Sequence, residues 1–430
     1  MKKLRAAIMG FGSRGKSYAE YALKHPEELE IVAVAEPVEA KREQAVKMFN
    51  IKPEMAFDDW KALIEVPDVA DFIILATQDK MHYEPALAII EKGYDILLEK
   101  PMAPTAKESK EIAEAAEKKG VKVVVCHVLR YTDFWGKVKE IVDSGMLGDI
   151  IGIEHTECVG SVHHSHSFAR GNWGNTERSA PMILAKSCHD ADLIQWVLGE
   201  KCTRVSSFGS LMHFKKENMP EGAPERCIEG CPHGDECLYN AMRFYYDKKS
   251  LKAIITNNPD ATDEDILEAL KNGPYGKCVY NTDNDVVDHQ VVNMEFESGC
   301  TVSFMMNSFG KPGRRMRIYG TKGELRTRAG ECEIEVYDFF DYDRLDHGRK
   351  GEWECKVYDT TKVGEHIDSG HGGGDAGIMR DLIKYLRDGE KAVSISDIRT
   401  SYLNHLICFA AEESRLTGKV IDVEEYSKEV

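Results

Sequence analysis

The sequence predicts an α/β protein in two parts: a doubly wound parallel sheet over residues 1–127, then an α+β part over residues 128–430 with a large, mostly antiparallel open sheet. Three observations predict this. Short, continuous, β-branched-rich apolar runs alternate with helical patterns as far as His127, and a glycine turn joins the first run to the first helix. Beyond His127 the runs lengthen and alternate in polarity. Continuous runs suit strands covered on both faces, and alternation suits strands with one buried face.

Taken in order, the apolar runs are residues 4–9, 31–35, 72–76, 96–98 and 121–126, with helices predicted over 13–24, 38–49, 81–92 and 105–119 between them. The last helix opens with Thr105 and Glu108 at the spacing of a capping box. Right-handed crossovers make such a series a doubly wound unit. Past His127 a helix is predicted over 134–144 and strands over 150–157, 291–297, 301–306, 315–319 and 331–337. Two insertions interrupt them: a Gly/His/Asn-rich loop over 160–175, and a polar segment over about 213–281 that carries a cysteine cluster. Near the end, a glycine loop at 370–377 feeds one helix, and another is predicted over 402–416.

Composition narrows the partners. With 42% hydrophobic residues over 430 positions the chain can bury two or three cores. A net charge of −17 excludes nucleic acid and anionic membrane as main partners and leaves small molecules, held in a local basic pocket if they are anionic. The 12 cysteines are too scattered for a disulfide framework and suit a reducing cytoplasm. No stretch reaches the length of a membrane span, and Arg5 and the glycine turn interrupt the amino-terminal apolar run too early for a signal peptide. The expected location is cytoplasmic.

The glycine turn satisfies two phosphate-binding patterns at once. Gly10, Gly12 and Gly15 spell GxGxxG, while Gly10 through Lys16 and Ser17 spell GxxxxGKS. A P-loop needs a magnesium-holding Asp after a later strand, and residues 72–76 run into Thr77-Gln78-Asp79, a weak candidate. The dinucleotide pattern needs an acid about 20 positions on, at the tip of the second strand, for the adenosine ribose hydroxyls. Glu36 stands there and would repel a 2′-phosphate, so the first part reads as a Rossmann dinucleotide-binding domain that takes NAD. The cofactor-facing set is Gly10, Phe11, Gly12, Ser13, Arg14, Gly15 and Glu36, with Thr77, Gln78 and His82, and a family resemblance carried by the next motifs adds Glu99 and Lys100.

Further along, the chain reads Leu97-Leu98-Glu99-Lys100-Pro101 and then Ser187-Cys188-His189-Asp190-Ala191-Asp192. With the amino-terminal glycines, these motifs resemble the Gfo/Idh/MocA family of sugar and cyclitol oxidoreductases over nearly the whole chain. The resemblance implies that Lys100 lies beside the nicotinamide and the substrate hydroxyl, and that His189 is the catalytic histidine. The family's aspartate four residues before that histidine falls on Ala185, a departure, and Lys186 follows as a candidate for part of its role. The chemistry agrees: oxidising a secondary alcohol needs a base for the hydroxyl proton and a cation for the developing alkoxide.

For substrate, the loop residues His163, His166, Arg170, Asn172 and Trp173 offer donors, acceptors and an aromatic plane suited to a polyhydroxylated ring. Lys186, His189, Asp288 and His289 are expected in the same cleft. His371 and Asp375 flank three glycines in what reads as a substrate loop, because no Lys or Arg joins it. His405 reads as structural. Cys227, Cys231, His233 and Cys237 could hold a structural zinc, against the alternative of free thiols and no metal. The expected activity is NAD-dependent oxidation of a ring hydroxyl in a sugar, glycoside or cyclitol, or its reverse, by a homodimer or homotetramer. Alternatives are redox-assisted glycoside cleavage with recycled NAD, a P-loop nucleotide hydrolase and a non-catalytic NAD sensor. Calorimetric titration separates the loop readings: Lys16→Ala is expected to leave NAD binding intact while Glu36→Ala weakens it. ATP binding lost in Lys16→Ala but kept in Glu36→Ala would reverse the assignment.

Overall fold

Six parallel strands take up the amino-terminal runs in the computed structural model, which describes residues 2–258, 260–328, 332–339, 355–360 and 371–430. They are β1 (Leu4–Met9), β2 (Leu29–Ala35), β3 (Ala56–Phe57), β4 (Phe72–Leu75), β5 (Asp95–Leu98) and β6 (Val123–Val125), in the order β3-β2-β1-β4-β5-β6. Every residue of β4 is buried, as a strand covered on both faces requires. The strand order reverses between β1 and β4, so the loops that leave their carboxyl ends part there and open a crevice. β3 is too short for any sequence pattern and pairs only through Val34↔Ala56 and Ala35↔Phe57.

The predicted first helix divides at Glu20 into Ser13–Ala19 and Tyr21–Lys24. Helix Ala106–Lys119 starts at Thr105, whose hydroxyl accepts the Glu108 N–H at 3.2 Å, as the capping box predicts. The anticipated loop over 160–175 is instead a series of short helical turns, Ser161–His164, Ser165–Arg170 and Asn172–Gly174.

The second sheet has nine strands: β7 (Ile150–Cys158), β8 (Cys202–Ser210), β9 (His289–Phe296), β10 (Thr301–Asn307), β11 (Gly313–Gly320), β12 (Gly323–Arg328), β13 (Glu333–Asp338), β14 (Cys355–Asp359) and β15 (Ile421–Asp422). Its order is β14-β13-β12-β11-β7-β10-β9-β8-β15, antiparallel throughout except for β7 beside β10. Glu331 and Gly370, at the starts of a predicted strand and loop, lie outside the described residues. One row of cross-strand partners, Gly313, Cys158, Asn307, His289 and Ser210, marks one end of this sheet. The segments 159–201, 211–288 and 308–312 all leave from that end, whereas residues 297–300 and 321–322 close the other with short turns.

The two sheets do not have wholly separate cores. Ile378, Met379, Leu382 and Ile383, from helix Gly374–Asp388, pack with Ala6, Ile8, Phe72 and Ile74 of the first sheet. Helix Ile398–Thr417 packs against β8, helix Cys188–Leu198 and helix Ala106–Lys119. Where these meet, Arg130 donates to both oxygens of Asp192 at 2.7 and 2.6 Å, and Asn404 donates to Asp192 at 2.5 Å, all buried. Burial raises the Asp192 pKa against the pull of Arg130. Arg130→Ala leaves that carboxylate buried without its cation and is expected to cost about 3–5 kcal/mol in denaturant unfolding.

Candidate active site

Three glycines in the first turn meet three different constraints. Gly10 has φ +90°, and a Cβ there would lie 2.6 Å from the Ala76 carbonyl oxygen. A Cβ on Gly15 would lie 2.1 Å from the Gly10 oxygen, so the helix could not pack on the turn. A Cβ on Gly12 would meet nothing within 4 Å, so close packing inside the protein is not what excludes a side chain there. A diphosphate approaching the backbone supplies the reason. Lys16 faces Glu20 at 3.9 Å and Ser17 donates to the Ser13 carbonyl at 3.0 Å, ordinary helix-surface contacts that place neither as a P-loop ligand. Glu36, buried at the tip of β2, accepts the Phe11 N–H at 2.7 Å and the Val38 N–H at 3.0 Å. The acid is thereby fixed against the turn, and the turn and acid fit NAD.

Other members of the predicted cofactor set brace this surface from beneath. Arg14 donates to Glu99 at 2.9 Å, to Asp375 at 2.6 and 3.0 Å and to the Tyr18 hydroxyl at 2.5 Å. This corrects the reading of Asp375 as a substrate residue on a loop that no Arg joins: Arg14 joins it from the other end of the chain. Burial would raise the Asp375 pKa, but hydrogen bonds from His371 and Arg14 bring it well below the usual carboxylate range. Glu99 is lowered against the same burial by Arg14, Lys100 and Tyr18. His82, fully buried, places its ring nitrogens 2.7 Å from the Pro101 carbonyl and 3.1 Å from the Thr77 carbonyl, a strut between two loops rather than a cofactor contact. Thr77 donates to the Met81 carbonyl, and Gln78 is exposed.

Lys100 lies close enough to both Lys186 and His189 for its charge to act on each. Lys100 follows β5 and donates from Nζ to the Ala185 carbonyl at 3.0 Å. His189 lies in the first turn of helix Cys188–Leu198, buried, and its Nδ1 has no hydrogen-bond partner among the described residues. Desolvation, followed by the charges of Lys100, His127 and Arg314, holds its pKa well below the ordinary imidazole value, so it is neutral. His371 approaches from the second part, its ring centre 6.4 Å from that of His189. Lys186 lies 3.4 Å from Glu157 Oε1. Arg314 spans Asp190 at 2.7 Å and Glu157 at 3.3 Å, and His155 reaches Asp190 at 2.8 Å.

Glu157, Arg314, His155 and His127 were not marked by any motif. The strand carrying Glu157 was legible in the sequence, but no spacing rule links position 157 to position 186. His127, fully buried with both ring nitrogens unpartnered among the described residues, lies 3.9 Å from Asp192 and packs edge-on to His189.

Most of the predicted substrate loop serves other ends. Arg170 donates to the carbonyls of Lys277 and Tyr239 at 2.8 Å, pinning the cysteine-bearing insertion. His166 bonds the Tyr245 hydroxyl at 2.8 Å and stacks on Tyr275. Trp173 donates to Asp79 at 2.9 Å, clasping the loop that follows β4, and the Asn172 carbonyl accepts from Arg178. Asp288, buried, accepts the N–H groups of Met212 and His213 and bonds His289 at 2.9 Å, which makes it a loop anchor. His163 is exposed, as are Val162 and Trp173 in the same loop, and its pKa is lowered to about 4 by desolvation and by the charges of Lys186, His166 and Lys100. His405 is structural: it accepts the Met102 N–H at 3.0 Å and bonds the Ser401 carbonyl. The zinc set is also corrected. His233 is bonded to the Glu221 carbonyl at 2.8 Å, and Cys278 lines the same cavity as Cys227, Cys231, His233 and Cys237. Among the described residues no group of three or more His, Cys, Asp or Glu side chains could hold a metal ion.

A dinucleotide turn at the switch point of a Rossmann sheet, facing a lysine and a neutral histidine, defines an NAD-binding oxidoreductase. The chain belongs to the Gfo/Idh/MocA family: the family's NAD-binding Rossmann fold matches residues 4–127 and its C-terminal α/β domain matches residues 139–423. Similar proteins include YteT of Bacillus subtilis strain 168, 25% identical over 335 residues, covering 77% of this chain and 76% of that protein. Inositol 2-dehydrogenase 4 of Saccharopolyspora erythraea is 30% identical over 206 residues, 48% of this chain and 57% of the relative, so less than two thirds of that enzyme is spanned. A levoglucosan dehydrogenase solved with NADH and levoglucosan shares the fold, with TM-score 0.71 and 19% identity, covering 98% of this chain and 100% of that one. Two substitutions separate packing from binding in the turn. Gly15→Ala is expected to lose about 1–3 kcal/mol or more in thermal unfolding by overpacking, whereas Gly12→Ala should keep its Tm and weaken NAD binding by titration.

Proposed function

We propose that this oxidoreductase oxidises a ring hydroxyl of a sugar, glycoside or cyclitol to the ketone, or runs the reverse reduction. The observation that carries the reading is His189, an imidazole kept neutral in a crevice that also holds two lysine side chains. A neutral imidazole accepts the hydroxyl proton, and the ammonium groups of Lys100 and Lys186 stabilise the negative charge that develops on the oxygen. Bound NAD supplies the hydride acceptor. Gly12 and Glu36 hold that cofactor by diphosphate and ribose, while His163 and His371 contribute polar edges toward the sugar ring. The inositol dehydrogenases and levoglucosan dehydrogenase among the similar proteins support a polyhydroxylated ring as substrate. A row of outward-facing apolar side chains, Phe208, Val291 and Met305, crosses three neighbouring strands of the second sheet, and Phe208 is 69% exposed. In this reading a second copy of the chain covers that row.

NADH absorbance with a panel of polyols, cyclitols and glycosides tests the activity. His189→Ala and Lys100→Ala are each expected to lower kcat by about 10²–10⁴-fold with NAD affinity nearly unchanged. Because His189 is lowered from the ordinary imidazole pKa, the acid limb of kcat/KM should fall below that value. Near-normal turnover in either variant removes that residue from the mechanism, and glycoside turnover with no net NADH would replace simple oxidation by redox-assisted cleavage.

A further inference from the structure

The lysine beside His189 depends on one carboxylate from a distant strand. Lys186 carries 19% of its side-chain surface to solvent and meets Glu157 Oε1 at 3.4 Å. The other charges that face it come from four elements: Arg314 on β11, Asp190 on helix Cys188–Leu198, Lys100 after β5, and His163 in the loop. Arg314 and Lys100 oppose its charge. Asp190 favours it but is already committed to Arg314 at 2.7 Å and His155 at 2.8 Å. Glu157 is itself buried and stands opposite Arg314 in the β7–β11 register; its Oε2 faces the Arg314 guanidinium at 3.3 Å, which leaves Oε1 for Lys186. Residue 185, next to the lysine, is an alanine and offers only its carbonyl, which Lys100 takes.

We infer that Glu157 is a positioning residue, the carboxylate that keeps the Lys186 ammonium charged and aimed into the crevice. Burial lowers the Lys186 pKa, and the Glu157 charge is the largest influence that raises it again. The inference rests on the proposed oxidation only for its catalytic consequence, because the pairing can be read without turnover. Losing the Glu157 charge leaves Asp190 alone to favour the ammonium against desolvation and two repelling cations, so the amine should deprotonate at lower pH.

The experiment uses the full chain with NAD and follows acetylation of Lys186 by acetic anhydride against pH, read by peptide mass spectrometry, with exposed Lys2 as the internal standard. In Glu157→Gln the Lys186 midpoint is expected to fall by about one pH unit or more, while Glu157→Asp stays close to the parent. Both variants are first checked for an unchanged Tm and NADH binding. If substrate turnover is available, Glu157→Gln should lower kcat by about tenfold or more, move the alkaline limb to lower pH and leave the KM for NAD in place. A Lys186 midpoint that does not move in Glu157→Gln overturns the inference. A midpoint that falls while kcat stays unchanged leaves the pair standing and removes Lys186 from the proposed reaction.

Discussion

The arrangement of this protein hangs on the buried charge cluster around Arg14. The guanidinium leaves the helix of the glycine turn and meets Glu99, which precedes Lys100, and Asp375, which opens helix Gly374–Asp388. Both carboxylates are nearly or fully buried, so neither can be left without its cation. This forces three segments distant in sequence into one register. The phosphate turn, the lysine at the end of β5 and the His371 segment that approaches His189 are therefore set relative to each other before any ligand arrives. Binding through such a cluster sacrifices little ordering entropy in the site, since the groups are already held.

A second layer of charge repeats the logic from the other sheet. Asp190 follows His189 in sequence and is gripped by Arg314 and His155, so the helix bearing the histidine cannot rotate without breaking buried ion pairs. Here Asp190 is lowered to about 2, because the pull of Arg314 and His155 outweighs burial. The reaction centre thus sits between two buried ion clusters, one rooted in each sheet.

The sequence made the local features legible and hid the distant ones. The parallel strands, the glycine turn, Glu36 and the capping box at Thr105 each depend on neighbours within one element or one crossover, so a pattern records them. Lys100 and His189 came from short motifs whose residue types match the chemistry. Arg14 and Asp375 were misread because their meaning is a contact 361 residues apart, which no period encodes. Arg170, His166 and Asp288 looked like sugar ligands for the same reason: buried polar side chains need partners, and those partners are backbone groups for Arg170 and Asp288 and the Tyr245 hydroxyl for His166. β8 and β15 escaped notice because one is rich in serine and the other is two residues long.

The row Gly313, Cys158, Asn307, His289 and Ser210 divides the large sheet into a conservative end and a permissive one. Segments 159–201, 211–288 and 308–312 depart from that row, so residues can be added, lost or rewritten there while the strand pairing behind it stays the same. Glu157 lies one position inside the row, on the frame, and the excursions lie outside it. A descendant of this chain could therefore exchange the molecule it recognises by trading loops at one rim, provided the 182–198 stretch that carries Lys186 and His189 is inherited with the strands.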